Sequence, residues 1–236
     1  MTANRKTWAR KETRGETIMR TIAFVTQKGG SGKSTLASSL AVAAQEMKEK
    51  VCVIDTDPQG SLTNWAKTRE TRDIEVVASG AARLPALLAQ LKAKGFTLAI
   101  IDTPGAEGPA SAAAMVVADL NIIPSRPSMF DLWASAKTRA ALKDIGGDFV
   151  FLLNQCPPAQ QTARVQDGVE TLEEMGGLIS PLILARVDYQ EAVRHGWGVT
   201  ELNPNGAAAE EMRSLWASIR RRLARTKPRS AARKAA

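Results

Sequence analysis

The chain has 236 residues, of which 44% are hydrophobic and 24% are charged, and its formal net charge is +8. This composition is ordinary for a soluble protein with one substantial core. No apolar run approaches the roughly 18 residues that a membrane-spanning helix requires, and the basic N-terminus lacks the apolar segment of a signal peptide, so we expect a cytoplasmic protein.

Taken in chain order, the sequence begins with a basic stretch that has no apolar periodicity, residues 1–18, which we expect to be a disordered extension. A single domain is predicted for residues 19–224. The apolar runs that predict buried strands are 21–26, 51–55, 74–78, 97–102, 120–124, 149–154 and 182–184. The segments that predict helices are 33–48, 62–69, 83–93, 110–118, 130–145, 161–175, 190–194 and 207–225. Residues 225–236 are expected to form a flexible basic tail.

The alternation of these elements predicts the fold class. A strand that is apolar along its whole length has to be buried on both faces, and strands separated by helices run parallel. We therefore expect an α/β fold of one domain, in which a mainly parallel, twisted β-sheet is flanked by helices on both faces.

A glycine-rich segment connects the first predicted strand to the first predicted helix. Its residues are Lys28, Gly29, Gly30, Ser31, Gly32, Lys33, Ser34 and Thr35. Glycines let the backbone curl so that N–H groups and the helix N-terminus face a phosphate. Lys33 would add positive charge at the β- and γ-phosphates, and the Ser34 hydroxyl would bind Mg²⁺. We predict a loop that binds ATP and Mg²⁺; the alternative is a turn that caps a helix and binds nothing.

Aspartates follow two of the apolar strands. Asp55 and Asp57 come after one, and Asp102 ends another. They should emerge at the carboxyl edge of the sheet, where open α/β sheets bind ligands. Carboxylates beside phosphates repel a nucleotide unless they belong to a Mg²⁺ site or orient an attacking water. A helix cap plus a turn before Pro58 is the alternative for Asp55 and Asp57.

Three motifs together resemble the ParA/MinD superfamily of deviant Walker ATPases, with the small ParA-like members of the ParF type as the most similar group. The motifs are residues 28–35, 53–60 and 99–105. The resemblance extends over roughly residues 19–222. These members carry no N-terminal helix-turn-helix domain, and the 18 or so residues before the first predicted strand are too few for one.

The resemblance also implies individual roles. Lys28 is expected to reach across a dimer interface to the partner subunit's nucleotide, although it could instead serve its own loop. Asp57 is expected to position the attacking water, while Asp55 and Asp102 belong to the Mg²⁺ network. Asn154 ends a strand where relatives place an asparagine against adenine, since an amide both donates and accepts; a strand-end cap is the alternative.

The basic residues point to a polyanionic partner. Residues 213–236 hold nine Lys or Arg and no acidic residue, which favours nucleic acid or an anionic membrane. The resemblance implies nonspecific contacts to DNA phosphates, for which the candidates are Arg186, Arg213, Arg220, Arg221 and Arg222. The apolar stripe of the last helix is predicted to be core rather than a lipid-seeking surface; its members are Met212, Leu215, Trp216, Ile219 and Leu223.

The function implied by the resemblance is a nucleoid-associated ATPase that forms an ATP-sandwich homodimer. It would bind nonspecific DNA and be reset by slow hydrolysis that a ParB-like or cargo-adaptor protein stimulates, so that it segregates plasmid or chromosomal DNA or positions a protein cargo. The alternative is a MinD-like ATPase that cycles on a membrane. An iron–sulfur reductase is disfavoured, because neither Cys52 nor Cys156 stands where a cluster ligand is expected after Asp102. Trp133 is predicted to be a core or interface residue, on a helix that could touch a second subunit or a partner.

Overall fold

The computed structural model describes residues 18–158, 162–226 and 228–229. Apart from Ile18, the basic extension predicted for residues 1–18 lies outside these residues. Most of the tail predicted for residues 225–236 also lies outside them. The predicted division of the chain into extension, domain and tail therefore stays a prediction.

The described strands form one parallel sheet of six strands in the order β3-β2-β4-β1-β5-β6. Their bounds are β1 Arg20–Phe24, β2 Val51–Asp55, β3 Glu75–Ala78, β4 Leu98–Asp102, β5 Leu120–Ser125 and β6 Phe149–Leu153. Every residue of β2, β4 and β5 is buried. This burial explains why those strands are apolar throughout rather than alternating, and it confirms the predicted α/β class.

Helices cover both faces of this sheet. Their bounds are α1 Lys33–Glu46, α2 Ser61–Thr68, α3 Leu84–Ala93, α4 Pro109–Val117, α5 Met129–Asp144, α6 Ala163–Glu174, α7 Val187–Arg194, α8 Val199–Leu202 and α9 Ala207–Ala224. One core cluster joins the sheet to α1, α2, α7, α8 and α9, and a second joins it to α3, α4, α5 and α6. The apolar stripe of α9 lies in the first cluster, which confirms that it is core.

Two predictions about the elements were wrong. The strand predicted at 182–184 is reduced to a single bridge between Cys156 and Leu184, because Pro181, beside that run, has no N–H to extend a ladder. The short helix α8 was not predicted at all. Its four residues span little more than one helical turn, which is too short for an apolar period to appear.

The described end of the chain contacts the domain. Arg20, at the start of β1, donates hydrogen bonds to the carbonyls of Leu223 (2.8 Å) and Thr226 (2.6 Å). The Arg229 guanidinium donates to the carbonyl of Gly146 at 2.8 Å. These contacts lie at the amino ends of the strands, which is the edge opposite to the predicted ligand site.

Strand register brings the predicted site residues to one edge. Phe24 and Asp55 are both paired with Asp102, which ends the strand between theirs. The Thr103 hydroxyl donates to the carbonyl of Phe24 at 2.8 Å, and Thr56 N donates to the carbonyl of Asp102 at 3.0 Å. Residues that are 46 and 79 positions apart in sequence therefore meet at the carboxyl ends of adjacent strands.

Candidate nucleotide-binding site

The glycine-rich loop leaves β1 and enters α1 at the carboxyl edge of the sheet, as predicted. Gly32 precedes the first residue of α1 with a φ of 90°, a left-handed conformation that favours glycine. A Cβ at Gly32 would also lie 2.4 Å from Nδ2 of Asn154. The loop also packs closely against the segment after β4. A Cβ at Gly105 in that segment would lie 2.8 Å from the Cα of Gly29. Both positions need glycine for the backbone to pack.

Lys33 is a largely desolvated cation inside this loop. Its side chain is buried, and its Nζ donates to the carbonyl of Lys28 at 3.3 Å. Burial lowers the pKa of Lys33, while the charges of Asp102 and Asp57 oppose the shift. An ammonium group that has lost water and is held by one weak hydrogen bond is suited to bind an anion.

Ser34 and Asp102 form a close polar contact in the site. The Ser34 hydroxyl donates to Oδ2 of Asp102 at 2.6 Å, and Oδ1 has no hydrogen-bond partner in the described chain, although the residue is fully buried. Burial raises the pKa of Asp102 to about 7, with the Ser34 hydroxyl opposing the shift. A hydroxyl and a buried carboxylate are hard oxygen donors, and these two side chains therefore fit Mg²⁺.

The other two aspartates differ in how much of their carboxylate is available. Both oxygens of Asp55 already accept hydrogen bonds, from Asp57 N at 3.2 Å and from the N and hydroxyl of Thr63 at 2.9 and 3.0 Å. Asp57 is half-buried, and its Oδ1 accepts from Gln59 N at 2.9 Å. Thr63 lies in the first turn of α2, so these hydrogen bonds tie Asp55 to the start of that helix, and the metal role of Asp55 stays a prediction.

The Lys28 side chain lies beside the start of α5. Its Nζ is 5.9 Å from the centre of the Phe130 ring, a cation–π distance. The side chain is half-exposed. The position suits a group that leaves its own subunit, and the cross-dimer role stays a prediction.

Arg126 is a cation of the site that sequence reasoning missed. It follows β5 directly, and its Nη1 would be 4.0 Å from a Cβ at Gly30. A bidentate ion pair with Asp131, at 2.9 and 3.1 Å, holds the guanidinium in place. Its position just after a buried strand, at the edge where Asp55 and Asp102 lie, was the signal that could have identified it.

Asn154 supports the phosphate loop. It is 4% exposed, and its Nδ2 donates to the carbonyl of Ser31 at 2.7 Å. Gln155 adds a hydrogen bond of 3.1 Å to the carbonyl of Gly30. The donor half of the Asn154 amide is therefore engaged with the loop, and its contact with adenine stays a prediction.

The predicted DNA-binding arginines fall into two groups. Three of them are paired with carboxylates: Arg186 with Glu211 at 2.8 Å, Arg213 with Glu46 at 2.9 Å and Arg222 with Asp148 at 2.6 Å. The other two, Arg220 and Arg221, are exposed on α9. The exposed pair is the better candidate for phosphate contacts, because an arginine already paired with a carboxylate presents less net charge.

The helices in the described part of the chain include no membrane span. None combines the length and the apolar character that a crossing requires.

Comparison with known proteins gives one family. Residues 22–199 match the family model described as the CobQ/CobB/MinD/ParA nucleotide binding domain. A maintenance of carboxysome distribution protein A from Gloeobacter kilaueensis is 36% identical over 161 residues, which cover 66% of this chain and 72% of that protein. The protein of the same name from Halothiobacillus neapolitanus is 27% identical over 206 residues, which cover 83% of this chain and 94% of that protein.

Solved structures share the fold. Apo McdA from Cyanothece has a TM-score of 0.71 at 19% identity, covering 87% of this chain and 99% of that one. A variant of the same protein in complex with ATP has a TM-score of 0.69 at 18% identity, covering 91% and 99%. The septum site-determining protein MinD from Pyrococcus horikoshii, complexed with Mg-ADP, has a TM-score of 0.68 at 19% identity, covering 86% and 96%.

Proposed function

The chain belongs to the CobQ/CobB/MinD/ParA family of nucleotide-binding domains, the ParA/MinD superfamily that its three motifs predicted, and we propose that it is an ATP-dependent partition or positioning ATPase. The observation that carries the proposal is the meeting of Lys28 and Lys33 in one glycine-rich loop, beside the hydrogen bond from Ser34 to the buried Asp102. The narrower similarity to ParF-type members stays a prediction.

The proposed ligands are ATP and Mg²⁺. Loop N–H groups and the Lys33 ammonium would hold the β- and γ-phosphates, and Ser34 with Asp102 would hold the metal ion. Bound Mg²⁺ would neutralise charge on the phosphates during transfer. Structures of the same fold contain Mg-ADP and ATP, which supports this assignment.

Asp57 is assigned to the hydrolytic step. Its carboxylate lies near enough to Lys33 to affect the pKa of that ammonium, and Gln59 N holds one of its oxygens. A carboxylate at this position can accept a hydrogen bond from a water molecule and orient it towards the γ-phosphate. We also propose that this hydrolysis is slow and that a partner protein stimulates it.

The proposed cycle places two ATP-loaded copies face to face, with Lys28 of each reaching the other's nucleotide. The pair would bind nonspecific DNA of the nucleoid through Arg220 and Arg221, and hydrolysis would release it. The cargo is DNA or a protein assembly that an adaptor connects to the ATPase. Two relatives are maintenance of carboxysome distribution proteins, which supports a role in positioning a protein cargo.

Retention on DNA tests the proposal. The full chain is applied to immobilised duplex of random sequence with ATP, with ADP and without nucleotide, over a series of salt concentrations. We expect retention with ATP only, because pairing doubles the number of phosphate contacts, and a steep fall with salt. Replacing both Arg220 and Arg221 by Gln should weaken retention about tenfold or more, whereas the control Arg213→Gln should change it less because Glu46 already pairs with Arg213.

The same samples are sedimented with anionic liposomes. Binding to liposomes with no retention on DNA would contradict the proposal and support the MinD-like membrane cycle. The burial of the apolar face of α9 in the core argues against that outcome, because this face is not free to enter a membrane.

A further inference from the structure

Three large apolar side chains are exposed at the start of α5. Met129 is 57% exposed, Phe130 70% and Trp133 58%. The two aromatic rings lie edge to face, with centres 5.6 Å apart and planes at 88°. We call these three residues the α5 patch. Exposed aromatic side chains that cluster in this way are typical of a surface that a partner covers.

The α5 patch is held rigidly beside the phosphate loop. Ser128 caps α5, and its hydroxyl donates to Asp131 at 2.6 Å. Asp131 is 2% exposed and also receives the bidentate ion pair from Arg126, the residue that faces Gly30. The first turn of α5 is thus fixed at the loop, and the patch needs no large rearrangement to meet a partner.

The patch is also continuous with Lys28. The ammonium group of this lysine is 5.9 Å from the centre of the Phe130 ring. In the proposed cycle Lys28 extends to the phosphates of a second copy. If Lys28 crosses to a second copy from this place, that copy is brought close to the Phe130 ring, because the ring lies beside the lysine's ammonium group.

We propose that the α5 patch forms part of the surface between two copies of this chain. The proposal rests on the proposed function, in which ATP-loaded copies pair through Lys28. In a two-fold symmetric pair every contact occurs twice. Each α5 patch would therefore pack against the region around the other copy's loop.

The charges beside the patch account for its exposure in the empty protein. Lys28 lies at this surface in each copy, whereas Arg126 beside it is neutralised by Asp131, so two copies without nucleotide would bring their two Lys28 charges together. The phosphates of bound ATP reverse the sign of the local charge. The apolar contact between the two copies is then formed only when nucleotide is bound. The patch contributes to the affinity between the copies, and the phosphates remove the repulsion that otherwise prevents the contact.

The test measures pairing of the full chain by sedimentation velocity, with a non-hydrolysable ATP analogue and without it. The variant carries Phe130→Ser together with Trp133→Ser, and the control is Met47→Ser, an equally exposed apolar residue (56%) at the end of α1. Thermal unfolding and the affinity for a fluorescent ATP analogue are measured for every protein as controls for folding and nucleotide binding. Both properties of the variants should stay close to those of the wild type.

We expect the patch variant to pair at least about tenfold more weakly than the wild type, since aromatic residues at the centre of an interface carry much of its affinity. The control should pair normally. A patch variant that binds nucleotide and pairs as the wild type does would overturn the proposal and leave the proposed function intact; the patch would then serve another partner. A wild type that binds the analogue and stays monomeric would overturn both.

Trp133 supplies a second measurement. Burial of its ring should shift its fluorescence to shorter wavelength when the ATP analogue is added. The variant Trp133→Phe should lose this shift while it still pairs, because a phenyl ring preserves most of the apolar contact. An unchanged spectrum of the wild type in a sample shown to be dimeric would overturn the proposal.

Discussion

The Ser34 hydroxyl donates a hydrogen bond of 2.6 Å to Oδ2 of Asp102, and thereby joins the first turn of α1 to the last residue of β4. The other oxygen of the same fully buried carboxylate has no partner in the described chain. A buried carboxylate with one free oxygen is costly for the folded protein. The site is therefore built to receive a cation rather than to be most stable without one.

Asp102→Asn should make the nucleotide-free protein more stable and remove the effect of Mg²⁺ on nucleotide affinity. The amide has nearly the same shape and carries no charge, so the free energy of unfolding should rise by roughly 1–3 kcal/mol. Thermal unfolding and nucleotide titrations with and without Mg²⁺ check both effects. The control Ser34→Ala should have the opposite effect on stability, because it removes a donor from the buried carboxylate. A less stable Asp102→Asn protein would contradict this account.

Substitutions of the two loop lysines should have different effects, one on nucleotide binding and the other on pairing of the chain. Lys33→Ala should weaken ATP binding at least about a hundredfold, because it removes the desolvated ammonium from the phosphates. Lys28→Ala should bind ATP within a few-fold of the wild type and fail to pair, because the Lys28 ammonium lies 5.9 Å from the centre of the Phe130 ring, at the surface where the second copy is proposed to bind. Nucleotide titration and sedimentation velocity measure the two properties. If Lys28→Ala lost nucleotide binding as severely as Lys33→Ala, the lysine would serve its own loop.

Asp57→Ala should pair in the presence of ATP and not turn it over. Loss of the group that orients the attacking water typically lowers kcat by a factor of about 10² to 10⁴. Phosphate release measures turnover, and sedimentation velocity measures pairing in the same samples. The control Asp55→Asn should instead disturb the start of α2, since Asp55 accepts hydrogen bonds from Thr63. Turnover by Asp57→Ala at the wild-type rate would remove Asp57 from the mechanism.

Gly105→Ala should impair the site although no charge is lost. Its Cβ would lie 2.8 Å from the Cα of Gly29, a backbone atom that can move only if the loop moves. Overpacking of this kind costs about 1–3 kcal/mol, and here it displaces the phosphate loop. The control is Gly108→Ala, where nothing lies within 4 Å of an added Cβ. Thermal unfolding and nucleotide titration should show a loss of stability and of affinity for the first variant only.

The ion pairs of Arg69 should contribute stability that acid removes. The Arg69 side chain is 1% exposed and pairs with Asp73 at 2.7 Å and with Glu201 at 2.6 Å. Partial burial would raise the pKa of Asp73, but hydrogen bonds from Arg69 and Thr71 overcome it and hold the pKa at about 2. A lowered pKa stabilises the folded state above the unfolded value of about 4, and this contribution disappears as the pH falls towards 2.

Asp73→Asn should therefore lower the free energy of unfolding by roughly 1 kcal/mol at pH 7, a figure reduced because the Asp73 side chain is 36% exposed. The difference between wild type and variant should shrink when urea unfolding is repeated near pH 3. The control Asp144→Asn, on the exposed side of α5, should show little difference at either pH. A difference for Asp73→Asn that is the same at both pH values would contradict the assignment.

The sequence by itself determined the fold class and the phosphate loop. Continuous apolar runs such as that of β4 can be satisfied only in a sheet that is covered on both faces. The glycines and lysines of residues 28–35 act through backbone freedom and charge, which are local properties of the chain. Local signals were sufficient there, because the atoms that interact are close in sequence.

Only the tertiary structure decided which polar side chains are available. Asp55 and Asp102 follow similar apolar strands, yet Thr63 occupies the carboxylate of Asp55, while one oxygen of Asp102 is left without a partner in the described chain. Arg126 and the α5 patch lie about 100 residues from the phosphate loop in sequence, and they meet it through strand order. Such pairings depend on how distant segments pack, and no spacing within one segment encodes them.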